Sequence, residues 1–318
     1  MKTFLSRRNF LRVCGYGALG AGALGSYSGY IEPAMRLNIT RYKVHPPQWT
    51  ADLNLKIAAL ADIHAGEGFM TEERLAHIVE RTNAQKPDMI VLLGDYLTGT
   101  YKRPGFMAAA DIARILSRLN APLGVYSVLG NHDWWNDKEA FIRRKGPIQM
   151  GKALEKVGIP VLENQALRLS KDGKPFWLAG LGDQWSFFTS RDGVDDLPKT
   201  LAAITDSEPV IMLAHEPDIF PRLPSRVNVT LCGHTHGGQL RLFGYSPVVP
   251  SRYGNRYSYG HIVENGKHLI VSGGLGSVGA SLAALSPKFF KKLGSVAYKK
   301  MYVRLGVPPE IVIVHVMQ

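Results

Sequence analysis

The sequence predicts an α/β fold with a mixed or two-layer sheet core, on three observations. Short apolar runs recur along most of the chain, helical patterns separate the early ones, and the later ones lie closer together in turn-rich sequence. With 45% hydrophobic and 20% charged residues, the chain has the composition of a globular protein, not of a disordered or fibrous one. At 318 residues it is long enough for one large domain or two small ones. No stretch approaches the roughly 20 apolar residues of a membrane span.

The first apolar run, Leu55 to Ala61, ends at Asp62, and Thr71-Glu72-Glu73 then opens a helical pattern through Leu75, Ile78 and Val79. A second buried-strand pattern from Asp88 to Leu93 stops at Asp95. A helix near Ile112 to Leu119 leads into a strand from Gly124 to Leu129, just ahead of Asn131. One further helix fits Ala140 to Val157. Phe176 to Leu181, Val210 to Ala214, Val227 to Cys232, His268 to Ser272 and Ile311 to Val316 read as strands.

The net charge of +12 is unevenly spread. Lys2, Arg7, Arg8 and Arg12 stand without an acid in residues 1–30, and six basic residues stand without one in residues 280–305, leaving a body near neutrality. That distribution argues against a general nucleic-acid-binding face. The stretch Ser6-Arg7-Arg8-Asn9-Phe10-Leu11-Arg12 resembles the twin-arginine export signal, departing from its pattern only at Arg12. A weakly apolar, glycine- and alanine-rich run from Val13 to Gly29 follows, too rich in glycine for a stable helix in water. The resemblance makes residues 1–30 an export signal or a retained membrane anchor, with the twin-arginine machinery as partner. It places the protein in the periplasm or on the outer face of the cytoplasmic membrane. The best cleavage position is Ser26-Tyr27-Ser28. Of the two cysteines, Cys14 falls in this segment and Cys232 in the body, so no internal disulfide framework forms.

Chemistry concentrates in five separated segments: Asp62-Ile-His64, Gly94-Asp95, Gly130-Asn131-His132-Asp133, Ala214-His215-Glu216 and Gly233-His234-Thr235-His236-Gly237-Gly238-Gln239. Most of them follow an apolar run directly, and ligands at strand ends are where open α/β sheets put their sites. Two metal ions that clamp a phosphoryl group need a bridging carboxylate with nitrogen and oxygen ligands on either side. Asp95 is the natural bridge. Asp62, His64 and one of the final histidines complete one ion, and Asn131, His215 and the other complete the second. His234 and His236 are two apart and would point to opposite sides of a strand, so a loop is required there. The mixed carboxylate, imidazole and amide set suits Mn, Zn or Fe, without the thiolates of a structural zinc site.

These five segments resemble the calcineurin-like metallophosphoesterase family, over about Leu55 to Val316. The resemblance implies a two-layer mixed β-sandwich flanked by helices, in a domain of residues 50–318. It assigns Asp62, His64, Asp95 and His236 to one metal and Asp95, Asn131, His215 and His234 to the other. His132 matches the histidine that protonates the leaving group or steadies the transition state, with Asp133 at the acidic position beside it. The nucleophile it implies is a metal-bound hydroxide. The Gly-His-Thr-His-Gly-Gly-Gln ending, with Pro250-Ser251-Arg252-Tyr253-Gly254 downstream, is similar to the exported or membrane-associated phosphodiesterase branch. Thr98 and Gly99 replace the Asp and Arg of the protein-phosphatase branch, which argues against protein phosphatase activity.

Arg241, Arg252 and Arg256 follow the last ligands, and Arg252 is the favoured anchor for a second anionic group of the substrate. In residues 280–302, Phe289, Leu293, Val296, Ala297 and Met301 recur at helical spacing among lysines. This basic amphipathic insertion reads either as a membrane-surface element or as a flap over the sheet. The expected activity is hydrolysis of a phosphodiester or pyrophosphate bond in a lipid or cell-envelope substrate. The alternatives are a phosphomonoesterase for small soluble phosphates and a non-catalytic metal-binding membrane module.

Overall fold

The computed structural model describes residues 6–66, 68–98, 106–190, 192–281 and 300–318. Helix α1 (Arg7–Ser26), capped by Ser6 Oγ, runs into a π-helical segment, Tyr27–Met35. Then come β1 (Asn38–Val44), β2 (Leu55–Leu60), α2 (Glu72–Asn83), β3 (Met89–Leu93), α3 (Ala109–Leu116) and β4 (Val125–Val128). Three short helices, α4 (Asn131–Trp135), α5 (Lys138–Arg143) and α6 (Gln149–Lys156), precede β5 (Gln165–Lys171) and β6 (Lys174–Gly180). The chain continues through α7 (Leu197–Ala202), β7 (Val210–Leu213), β8 (Val227–Cys232), β9 (Gly260–Glu264) and β10 (Lys267–Val271). Two-residue strands β11 (Ala280–Ser281) and β12 (Lys300–Met301) pair antiparallel, and β13 (Glu310–Val316) ends the fold.

Two mixed sheets form, in the orders β1-β13-β2-β3-β4 and β5-β6-β7-β8-β10-β9. Strand alternation decides which side chains meet. Ile57 and Ala59 of β2, Val91 and Leu93 of β3, and Val312 and Val314 of β13 share one core with Ile211, Leu213, Val229 and Leu231 of the second sheet. The intervening Ala58, Leu60, Ile90 and Leu92 pack outward against Leu75 and Ile78 of α2, Ile112 and Leu116 of α3, and Leu154 of α6. Met212 and Ala179 face the other way, onto Leu197 of α7 and Phe220. Both faces of each sheet are covered, which is why the central strands are uniformly apolar. The result is the α/β fold with a two-layer sheet core that the sequence pattern predicts, in the form of the helix-flanked sandwich that the family resemblance implies.

Three expectations about elements change. The single helix over 140–157 is two helices, because Pro147, lacking an N–H, cannot continue one through Gly146. The glycine-rich run after Arg12 does form a helix, as part of α1, whose sides remain exposed. Strands β1, β5 and β9 have no counterpart among the expected ones; β1, ahead of residue 50, pairs in parallel with β13. Residues 282–299, which carry most of the expected basic amphipathic insertion, lie outside the described residues, as does Gly99.

Candidate metal centre

Five strands deliver the site, each with its C-terminal end. Asp62 and His64 follow β2, Asp95 follows β3, Asn131 follows β4, His215 follows β7, and His234 and His236 follow β8. The loops after β2 and β3 are zipped by Asp62 N–H to Gly94 O (3.1 Å) and His64 N–H to Asp95 O (3.0 Å). Gly233 N–H donates to His215 O across the neighbouring strand ends (3.0 Å). Asp62 accepts the His234 N–H with both carboxylate oxygens, at 2.9 and 3.0 Å, and so joins the first sheet to the second.

The backbone is bent into this arrangement at a cost. Asp62, His64, Asp95, His234 and His236 all have positive φ, between 46° and 69°. Each such non-glycine residue costs on the order of 1–3 kcal/mol, and they persist where the surroundings over-determine them, typically at functional sites. Close approach adds a second constraint: a Cβ at Gly233 would lie 2.6 Å from Asp62 Oδ2.

Two groups of donors result. Ligand atoms of Asp62, His64 and His236 lie within 4.8 Å of one another, as do those of Asp95, His215 and His234, and all six residues are buried. Asp95 Oδ2 lies between the groups, 3.6 Å from His64 Nε2 and 3.3 Å from His215 Nε2. Asn131 Oδ1 is 3.2 Å from His215 Nε2 and 3.0 Å from His234 Nδ1. Two nitrogens held about 2.1 Å from one ion at a right angle are about 3.0 Å apart, and His64 Nε2 and His236 Nε2 are separated by 3.1 Å. Backbone carbonyls fix two tautomers: Leu97 O lies 3.2 Å from His64 Nδ1 and Leu93 O 2.7 Å from His215 Nδ1. Each leaves Nε2 with its lone pair toward the cluster, the usual outer support of a metal-ligating histidine. The residues fit two divalent ions.

Electrostatics agree with the geometry. Burial raises the Asp62 carboxyl to about 7, with the charge of Asp95 adding to it and His215 opposing. Burial alone would raise Asp95 as well, but His215 and then His132 hold it well below the usual carboxylate range. Burial would lower His215, yet Asp95 keeps it well above its ordinary value. His234 and His236 are lowered, chiefly by burial.

A cleft of about 270 Å³ opens over the cluster, lined by Asp95, Asn131, His132, Trp135, Trp185 and His236 among others. The His132 ring stands edge-on to His64, with centroids 4.8 Å apart, and packs on Trp135 at 4.7 Å. Its backbone N–H donates to Asp95 Oδ1 (2.8 Å). Asp133 does not face the cleft chemistry. Its carboxylate accepts from the N–H groups of Asp95, Tyr96, Leu97 and Gly130 at 2.9–3.1 Å, which makes it the clamp that positions the Asp95 loop. Arg252 is exposed on the wall of an adjoining cleft of about 530 Å³ that shares Trp185, His234 and Pro250 with the first. Thr98 is buried, with its carbonyl accepting from Asn136 Nδ2.

Sequence reasoning missed Arg304. Counted there with a basic run, it is wholly buried, with Nη2 3.1 Å from His236 Nδ1 and Nη1 donating to Val307 O (2.8 Å). Burial lowers it to about 10, against the charges of Asp62, Glu310 and Glu32. Nothing in the local sequence distinguishes it from the lysines before it. Glu216 is more legible, since it follows His215 directly; with Asp183 and His215 it makes a third close group. That group is not independent, because both His215 nitrogens already face Leu93 O and the Asp95 side.

Comparison with known proteins gives one consistent result. The family model described as calcineurin-like phosphoesterase matches residues 55–238, which hold every candidate ligand. "Uncharacterized metallophosphoesterase YkuE" of Bacillus subtilis (strain 168) is 32% identical over 283 residues, 86% of this chain and 91% of that protein. "Phosphodiesterase YaeI" of Escherichia coli (strain K12) is 30% identical over 286 residues, covering 86% and 93%. An Aquifex aeolicus (strain VF5) metallophosphoesterase is 29% identical over 264 residues, covering 83% and 93%.

Proposed function

The chain belongs to the calcineurin-like phosphoesterase family and is a metal-dependent phosphoester hydrolase; from that premise we propose that it cleaves a phosphodiester or pyrophosphate bond in a lipid or cell-envelope substrate. The observation that carries the two-ion reading is the pair of buried donor groups that meet at Asp95. In this reading Asp62, His64, Asp95 and His236 hold one divalent ion, and Asp95, Asn131, His215 and His234 hold the other. When bound, such ions polarise the phosphoryl oxygens and acidify water, so that a nucleophile is available near neutral pH. His132, on the cleft lining, holds the proton that goes to the leaving oxygen. Asp133 keeps the Asp95 loop in place, and Trp135 and Trp185 restrict water at the cleft wall. Arg252 receives a more distant anionic group of the substrate in the larger cleft.

The diester reading is also supported by the likeness to the E. coli protein described as a phosphodiesterase. Export through the twin-arginine route, to the periplasm or the outer face of the cytoplasmic membrane, is part of this reading and is supported by the resemblance of Ser6–Arg12 to such a signal. The test is turnover of bis-p-nitrophenyl phosphate against p-nitrophenyl phosphate by metal-loaded protein. The diester is expected to be the better substrate by kcat/KM; a clear preference for the monoester contradicts the proposal.

A further inference from the structure

The histidine ligands of the first donor group differ in what stands behind them. Leu97 O lies 3.2 Å from His64 Nδ1. A carbonyl only accepts, so His64 carries its hydrogen on Nδ1 and presents a bare Nε2. Behind His236 stands a donor instead: Arg304 Nη2 lies 3.1 Å from its Nδ1, and a guanidinium has no acceptor. Nδ1 of His236 must therefore accept, and the one hydrogen of the neutral ring falls on Nε2. That nitrogen lies 3.1 Å from the bare Nε2 of His64. The directions agree along the whole row. Arg304 donates to His236, His236 to His64, and His64 to Leu97 O, which closes the position with its own hydrogen bonds.

Arg304 is held too firmly to step aside. It is wholly buried, its Nε donates to Gly276 O and Ser277 Oγ, both at 3.1 Å, and its Nη1 donates to Val307 O at 2.8 Å. Gly276 N–H in turn donates to Asp62 O (2.7 Å), which ties this anchor to the ligand loop itself. An ion can take His236 Nε2 only when the hydrogen there leaves. That breaks the charged bond to Arg304 or strips the ring of both hydrogens. The guanidinium charge acts in the same direction, since it repels a cation in a buried site where charges are poorly screened. Asp62 leads the charges that offset the burial of Arg304, so its carboxylate is shared between the guanidinium and the ion. By carboxylate count the first position, with Asp62 as well as Asp95, is the tighter one. Arg304 works against that advantage.

We propose that Arg304 is a latch on the first metal position: it keeps His236 and His64 bonded to each other, and the ion there binds more weakly than its ligands alone would hold it. Arg304 is thus a positioning residue that acts through His236. The proposal rests on the two-ion reading and adds which ion is held back and by what. Two measurements on the full chain test it. Nitrogen NMR of metal-free protein with labelled histidines locates the ring hydrogens. His236 is expected in the Nε2–H form and His64 in the Nδ1–H form. An Nδ1–H form at His236 overturns the latch, and this readout needs no variant. Calorimetric titration with manganese reads the affinities. Arg304→Gln removes the charge and offers an amide oxygen that can accept from Nδ1. It is expected to tighten one of the two binding steps by about tenfold or more, the worth of a hydrogen bond to a charged group, and to leave the other step unchanged. The sign is diagnostic, because a residue that only supports the fold would weaken binding when lost. A folded Arg304→Gln variant whose affinities are unchanged or weaker overturns the latch while two ions still bind. A parent chain that takes up no metal sinks the two-ion reading instead, whatever the ring hydrogens show.

Discussion

His215 and Asp62 set how the centre responds to pH. In the metal-free protein Asp62 is raised to about 7 by burial, with Asp95 adding to it, and His215 is held well above its ordinary value by Asp95 against burial. Both therefore carry protons below neutrality. A metal ion needs both deprotonated, so binding must release protons. Affinity should fall as pH drops through 7, by up to about tenfold per unit for each proton displaced. His234 and His236 are lowered and oppose this less, being neutral already. Metal titrations by calorimetry at about pH 6 and about pH 8, in buffers of different ionisation enthalpy, read both the affinity and the protons. A pH-independent affinity without proton release would contradict the account.

At the level of elements, the legible parts are those whose strands are buried on both faces. β2, β3, β7, β8 and β13 show as apolar runs because helices or the other sheet cover each side. Every ligand but Asn131 follows such a run; Asn131 follows β4, the half-buried edge of the first sheet. What stayed hidden lies at edges: β1 and β9 border their sheets and β5 ends the second, with burial alternating or partial along them. The break at Gly146-Pro147 was written in the chain and outweighed by the apolar spacing around it. Arg304 was illegible for another reason, since its burial depends on two segments distant in the sequence, around Gly276 and His236. The turn between β4 and α4 carries a prediction of its own. A Cβ at Gly130 would meet Asp95 N at 2.7 Å and His215 Cε1 at 2.8 Å, so Gly130→Ala must push the bridging loop aside. Strain of this kind costs about 1–3 kcal/mol, and bound metal and turnover should both fall. Full metal content in the variant would show that the loop yields freely.

Across the whole molecule, the segment that follows α1 is bonded to the residues around Arg304 and Val307. Glu32 is buried, its Oε1 accepts the Val307 N–H (2.8 Å), and its charge offsets that of Arg304 behind His236. Removing residues 1–26 should leave stability and soluble turnover unchanged, whereas Glu32→Ala should cost about 1.5–3 kcal/mol, the range of a hydrogen bond to a charged group. Thermal melts of both variants decide it, and an unaltered Tm for Glu32→Ala would remove the segment from the fold's energetics. The central claim is that two ions meet at Asp95 while His132 acts only on protons. Metal per chain, read by mass spectrometry with turnover on the same samples, tests it most directly. The parent should hold two ions. Asp95→Asn should lose metal and activity together, and His132→Ala should keep both ions while turnover falls by about 10²–10⁴-fold. Two ions retained in Asp95→Asn, or metal lost from His132→Ala, would contradict the assignment.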